Sequence, residues 1–141
     1  MPGNHDDPAI MSEFFGATNL FPGAPPHYQY AIEGPDFRTL MLNSHFDRSE
    51  LPCFGPRRLQ WLQYELESSD QPTLLAIHHP PMKTGVGFID MAGPQWFQDI
   101  RELLKDHPQV IKVICGHGHF DLSGMLGAVP VQMCSATAHQ L

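Results

Sequence analysis

Five of the chain's nine histidines fall in three short segments: Gly3-Asn4-His5-Asp6, His78-His79-Pro80-Pro81 and Gly116-His117-Gly118-His119. Histidine titrates near neutral pH and is the commonest metal ligand, so clustering of this kind asks for an explanation. Imidazole nitrogens suit Zn, Mn or Fe. Asn4 adds an amide oxygen that a cation can use. His5 can donate a proton or contact a phosphate. Asp6 stands where it could accept a hydrogen bond from His5, orient the ring and raise its pKa; Asp7 is a weaker candidate for the same role. Taken singly, each histidine reads as a hydrogen-bonded structural residue and the tetrapeptide reads as a turn. Two histidine pairs, each directly after a buried strand, favour a ligand. His27, His45, His107 and His139 read as surface or capping residues.

The elements that must position these segments follow from pattern. Thr73 to Ile77 and Val110 to Cys115 are short apolar runs, as expected of buried strands. The histidine pairs follow directly on them, and ligands gather outside the carboxyl ends of strands in open α/β sheets. Gly116 and Gly118 give the second loop freedom to take positive φ or to approach a ligand closely. Pro80 and Pro81 stiffen the chain after His79.

Tyr28 to Ile32 and Phe37 to Asn43 read as a hairpin around Glu33-Gly34-Pro35-Asp36. Pro56 opens a helix whose apolar stripe is Leu59, Leu62 and Leu66, with Trp61 beside it. Ile10 to Phe15 and Gln95 to Lys105 are further helix candidates, the latter with Trp96, Ile100, Leu103 and Leu104 on one face. Met125 to Val131 and Gln132 to Ser135 read as a closing strand pair. Strands alternating with helices imply an α/β or α+β layered fold.

Composition narrows the function classes. Eight basic and fifteen acidic residues give a net charge of −7, which argues against a nucleic-acid polymer and against anionic lipid as partners. Metal ions could still make a phosphate site locally positive. Three cysteines, Cys53, Cys115 and Cys134, without CxxC spacing read as free thiols in a reducing compartment. No apolar run reaches membrane-span length and no signal peptide is recognisable, so the expected location is the cytoplasm.

Together the three histidine segments resemble the calcineurin-like metallophosphoesterase family. Its five ordered motifs are D-x-H, G-D-x-x-D, G-N-H-D/E, a strand ending in His (often H-H-P-P) and G-H-x-H. The last three occur here in that order, and the resemblance covers essentially the whole chain. Leu59-Gln60-Trp61-Leu62 ahead of His78-His79-Pro80-Pro81 is similar to the cyclic-nucleotide phosphodiesterase and glycerophosphodiesterase branch.

The resemblance implies the C-terminal portion of a single metallophosphoesterase domain, a central β-sheet with flanking helices. It implies Asn4, His78 and His117 as ligands of one divalent metal, His119 as a ligand of a second, and His5 as the group that contacts phosphate and protonates the leaving group. Asp6 and His79 would lie close by. Two ions (Mn, Fe or Zn) would activate a hydroxide against a small phosphodiester, such as a cyclic nucleotide or a glycerophosphodiester.

The D-x-H and G-D-x-x-D segments, which carry the bridging Asp, are not in the sequence. The expectation is therefore an N-terminally truncated domain with weak or no turnover and an uncovered sheet edge and face. The alternative is a non-catalytic metal- or phosphate-binding remnant, or an assembly subunit that dimerises through that edge.

Overall fold

Strand β3 (Thr73–Ile77) and strand β4 (Val110–Cys115) lie side by side at the middle of a six-stranded sheet. The computed structural model describes residues 1–15, 28–45 and 49–138. Around that centre stand β1 (Tyr30–Glu33), β2 (Arg38–Leu42), β5 (Leu122–Leu126) and β6 (Val129–Met133), in the order β1-β2-β3-β4-β6-β5. The pairings β2–β3, β3–β4 and β4–β6 are parallel, while β1 and β5 close the two edges antiparallel. Four strands therefore release their carboxyl ends at one rim, at Leu42, Ile77, Cys115 and Met133.

Helix α2 (Pro56–Glu67) links β2 to β3, and α3 (Gln95–Leu103), extended by a single 3-10 turn Leu104–Asp106, links β3 to β4. Gly55 is the N-cap of α2 and Pro56 its first residue, where a missing N–H is harmless. Successive crossovers of one hand, stepping in one direction across a sheet, put both helices on the same face. Leu62 and Leu66 of α2 and Ile100 of α3 accordingly share one buried cluster with Leu40, Leu75, Val113, Val131 and Met133 of the sheet. Arg38, at the start of β2, is buried and ties that strand to α2 through Glu65 at 2.5 Å.

Among the described residues the opposite face receives no crossover helix. Ile32, Ile114 and Met125 stand exposed there, with Met41 and Leu74 half-buried between them. Such a row is unusual for parallel strands, whose two faces are ordinarily covered. On β4 the register skips Ile111, because Thr73 pairs with Val110 and Leu74 with Lys112. That extra residue leaves both Ile111 and Lys112 outward.

Sequence and structure part at several element boundaries. The closing pair is Leu122–Leu126 with Val129–Met133, not Met125 to Val131 with Gln132 to Ser135. Gly127, at φ +64°, starts the two-residue turn that reverses the chain, and glycine takes that conformation without steric cost. The first hairpin begins at Tyr30 because Tyr28 itself has φ +47°. The helix at the N-terminus, α1, spans Pro8–Phe15. Asp7 caps it by accepting the Ala9 and Ile10 N–H groups at 2.8 and 3.3 Å, which is the role Asp7 has here.

Candidate metal centre

Three of the parallel strands run out into polar residues at the rim. After β2 come Asn43, Ser44 and His45, all buried. After β3 come His78 and His79, and after β4 the turn Gly116–His119. The N-terminal turn Gly3–Asp6 folds across the same rim. It is closed by Asp6, which accepts the Gly3 N–H at 2.7 Å.

Asn4, His78 and His117 meet there. His78 Nε2 lies 2.8 Å from Asn4 Oδ1; His117 Nδ1 lies 3.2 Å from that oxygen and 3.2 Å from His78 Nε2. These three atoms form a triangle of potential donors. A cation with bonds of ~2.1 Å keeps neighbouring donors about 3.0–3.4 Å apart in octahedral or tetrahedral geometry. The triangle is close to that size, and its neutral N, N, O donor set suits a borderline divalent ion.

The local backbone is shaped for this convergence. A Cβ on Gly3 would stand 2.8–3.0 Å from three atoms of the His78 ring, so only glycine lets the imidazole lie against that turn. In Gly116-His117-Gly118-His119 the positive φ angles belong to the histidines, +69° and +58°, rather than to the glycines on which the sequence pattern laid that freedom. The Gly118 N–H donates to the Gly116 carbonyl at 2.8 Å, which makes His117 the centre of a three-residue turn of the strained hand. Gly118 serves by close approach instead, since a Cβ there would meet Met133 at 2.7 Å.

His79 takes a different position from its neighbour. It is buried at 2% exposure, its Nδ1 is 2.8 Å from Ser44 Oγ, and its Nε2 is buried without a hydrogen-bond partner among the described residues. One ring nitrogen of each of His78, His79 and His117 lies within 4.8 Å of those of the other two. Burial, then its neighbour His117, pushes His78 down to about 4. Burial, then His78, pushes His79 down to about 3; the nearby Glu50 main chain opposes this without forming a hydrogen bond to Nε2. Burial, then His119 and His5, also lowers His117. All three rings are thus neutral at neutral pH, and a neutral ring has a lone pair to offer.

A cleft of about 280 Å³ opens in front of the triangle, lined by Asn4, His5, His78, His117, His119, Glu50, Leu51, Phe88 and Met91. His5 and His119 therefore face the same space, as do the apolar loop residues Phe88 and Met91. The expected Asp6–His5 pairing is replaced by the Asp6–Gly3 contact, and the His5 ring instead lies 3.4 Å from the Asn4 amide. His45 is a correction too: it is buried, with its N–H donating to Asn43 Oδ1 at 2.8 Å. His107 caps the end of the 3-10 turn, while His27 and His139 lie outside the described residues, as does most of the segment from Gly16 to Tyr28. Ser44, His45 and Glu50 were missed. The first two carried a usable signal, polar residues directly after an apolar strand; Glu50 carried none.

The loop between Met82 and Gly93, with its three glycines, reads in sequence as a mobile one. In the structure Asp90 ties it internally, accepting from the Thr84 N–H, the Thr84 hydroxyl and the Gly85 N–H, each at 2.9 Å.

Comparison with known proteins agrees with this architecture. No family model matches the chain. Among solved structures, a dimetal phosphatase from Danio rerio superposes with a TM-score of 0.72 over 93% of this chain and 58% of that one, at 17% identity. The fold is thus that of the dimetal phosphatases. In sequence, the chain is 33% identical to a probable cyclic nucleotide phosphodiesterase of Synechococcus, over 98% of this chain and 52% of that protein. It is 27% identical to a glycerophosphodiester phosphodiesterase of Enterobacter lignolyticus, over 100% of this chain and 51% of that protein. A cyclic adenosine monophosphate phosphodiesterase of Escherichia coli is 31% identical over 86% of this chain and 43% of its own length. In sequence the chain is thus similar to phosphodiesterases of cyclic nucleotides and glycerophosphodiesters, and in fold to a dimetal phosphatase. It spans about half the length of these curated relatives. No helix among the described residues is long and apolar enough to cross a membrane.

Proposed function

We propose that this chain supplies the histidine-bearing part of a metal-dependent phosphodiesterase site. The observation that carries the reading is the triangle of Asn4 Oδ1, His78 Nε2 and His117 Nδ1, with sides of 2.8, 3.2 and 3.2 Å, at the carboxyl rim of parallel strands. Those three residues would hold one divalent ion (Mn, Fe or Zn), and His119 would serve a second. Bound there, such ions supply Lewis-acid polarisation of the phosphoryl group and a water of lowered pKa.

The chain's own side chains do the rest. His5, on the cleft wall beside Asn4, gives its proton to the departing alkoxide. Leu51, Phe88 and Met91 form the apolar part of the cleft wall and receive the base or alcohol group of a small ester. A cyclic nucleotide or a glycerophosphodiester fits this division of the cleft, in line with the names of the relatives. The free thiols of Cys53, Cys115 and Cys134 agree with a reducing compartment such as the cytoplasm.

The triangle contains no carboxylate, and the D-x-H and G-D-x-x-D motifs are not in the sequence. We therefore read these 141 residues as the C-terminal portion of one metallophosphoesterase domain, binding one ion firmly and the second poorly. The expected result of Mn or Zn titration by calorimetry is one strong site, with little hydrolysis of a chromogenic phosphodiester. Robust turnover by the monomeric chain would contradict the one-site reading; no metal binding at all would contradict the whole assignment.

The uncovered sheet face, with Ile32, Ile114 and Met125 exposed, favours a second reading: a non-catalytic assembly subunit. Sedimentation would then give a dimer that chelator does not dissociate.

A further inference from the structure

Ser44 is fully buried and leaves β2 at the same rim as His79. Its Oγ lies 3.3 Å from the His79 main-chain nitrogen and 2.8 Å from His79 Nδ1. The main-chain N–H can only donate, so Oγ accepts it. The buried hydroxyl proton then needs an acceptor of its own. Among the described residues Oγ touches just one group able to accept, which is Nδ1 of the same ring. The Ser44 hydroxyl therefore donates to Nδ1, and the neutral ring carries its proton on Nε2.

That tautomer separates His79 from the two histidines beside it. Its ring centroid is 4.9 Å from that of His78 and 4.6 Å from that of His117, so it belongs to the same cluster. A nitrogen that carries a proton has no lone pair for a cation. Nε2 is instead a buried donor without a hydrogen-bond partner among the described residues.

We propose that Ser44 is a positioning residue that holds His79 as an Nε2–H donor to a phosphoryl oxygen at the Asn4–His78–His117 corner, rather than leaving it as a third imidazole ligand. The donor role rests on the phosphodiesterase reading above; the tautomer does not.

Long-range proton–nitrogen correlation spectra of the isotope-labelled full chain test this without any substitution. The expected result is a protonated Nε2 and an unprotonated Nδ1 on His79 in the metal-free chain. On adding cadmium, His78 and His117 should show cadmium–nitrogen coupling and His79 none. A proton on Nδ1, or cadmium coupling to His79, overturns the proposal. In Ser44→Ala the ring should become a mixture of tautomers, and inorganic phosphate should bind the metal-loaded chain about tenfold more weakly, with the metal's own Kd unchanged. Wild-type tautomer and wild-type phosphate affinity in that variant overturn the positioning role. If cadmium binds nowhere, the metal-site reading fails, while the metal-free spectrum still decides the tautomer.

Discussion

The two sides of the cleft are built differently. On one side, Asn4, His78 and His117 converge to within 3.2 Å of one another, fixed by a glycine turn and two strand ends. On the other, His5, His119 and Glu50 line the wall but belong to no group of three close metal-binding side chains among the described residues. On the first side His78 and His117 are placed by sheet geometry, which parallel strands impose on whatever follows them, and Asn4 by the N-terminal turn. Two strand ends and one glycine turn thus preorganise a neutral donor triangle, whereas the other side gathers no comparable group among the described residues.

The largest expected effect that sharpens this contrast is acid sensitivity on the preorganised side. Unfolded histidines take up a proton near ~6.5, while folded His78 does so only at about 4 and His79 at about 3. The unfolded chain therefore binds more protons in this window, and stability should fall as pH drops from ~6.5 toward 4. The loss is at most about 1.4 kcal/mol per pH unit and ring. Urea midpoints of the metal-free chain should show that slope, and His78→Gln should flatten it. A level profile between pH ~6.5 and 4 would mean that these rings are not held neutral by burial.

Next comes loss of a ligand. An ion at a hundred times its Kd stabilises the folded chain by about 2.7 kcal/mol. His78→Ala and His117→Ala should each abolish that gain in thermal unfolding, whereas His119→Ala should keep most of it. Equal losses in all three would erase the distinction between the two sides.

A smaller effect is expected from Gly3→Ala. The new methyl would push on the His78 ring, and metal affinity should fall about tenfold or more, with urea stability little changed. The smallest belongs to the apolar wall: Asp90→Ala removes three hydrogen bonds from the loop and should cost roughly 1 kcal/mol. Hydrogen exchange at Thr84 and Gly85 should quicken while metal affinity stays unchanged.

Much of this was legible in the residues. Thr73–Ile77 and Val110–Cys115 announce themselves as apolar runs, and their histidines follow at the one place where parallel strands present side chains to a ligand. Helix α2 was readable from Pro56 and its leucine stripe. The closing hairpin was misplaced because Met125 to Val131 is continuous in apolar character, and only the positive φ of Gly127 shows where it turns.

Contacts between distant segments were the harder part. Nothing local says that Asp6 turns back to Gly3 rather than toward His5, or that Ser44 reaches His79 across 35 positions. Those depend on how neighbouring strand ends are spaced, which the β2–β3 register fixes and no single segment reveals.

The turn at His117 has a consequence for selection. A non-glycine residue in the left-handed region costs ~1–2 kcal/mol, and His117 sits there at φ +69°. Glycine would suit that backbone better, so His117→Gly should raise the stability of the metal-free chain by about 1 kcal/mol. With a divalent ion present the ranking should invert, because the variant has no imidazole to bind it. Judged by folding alone, then, the histidine is the wrong residue, and it becomes the right one only when the molecule is weighed together with what it holds.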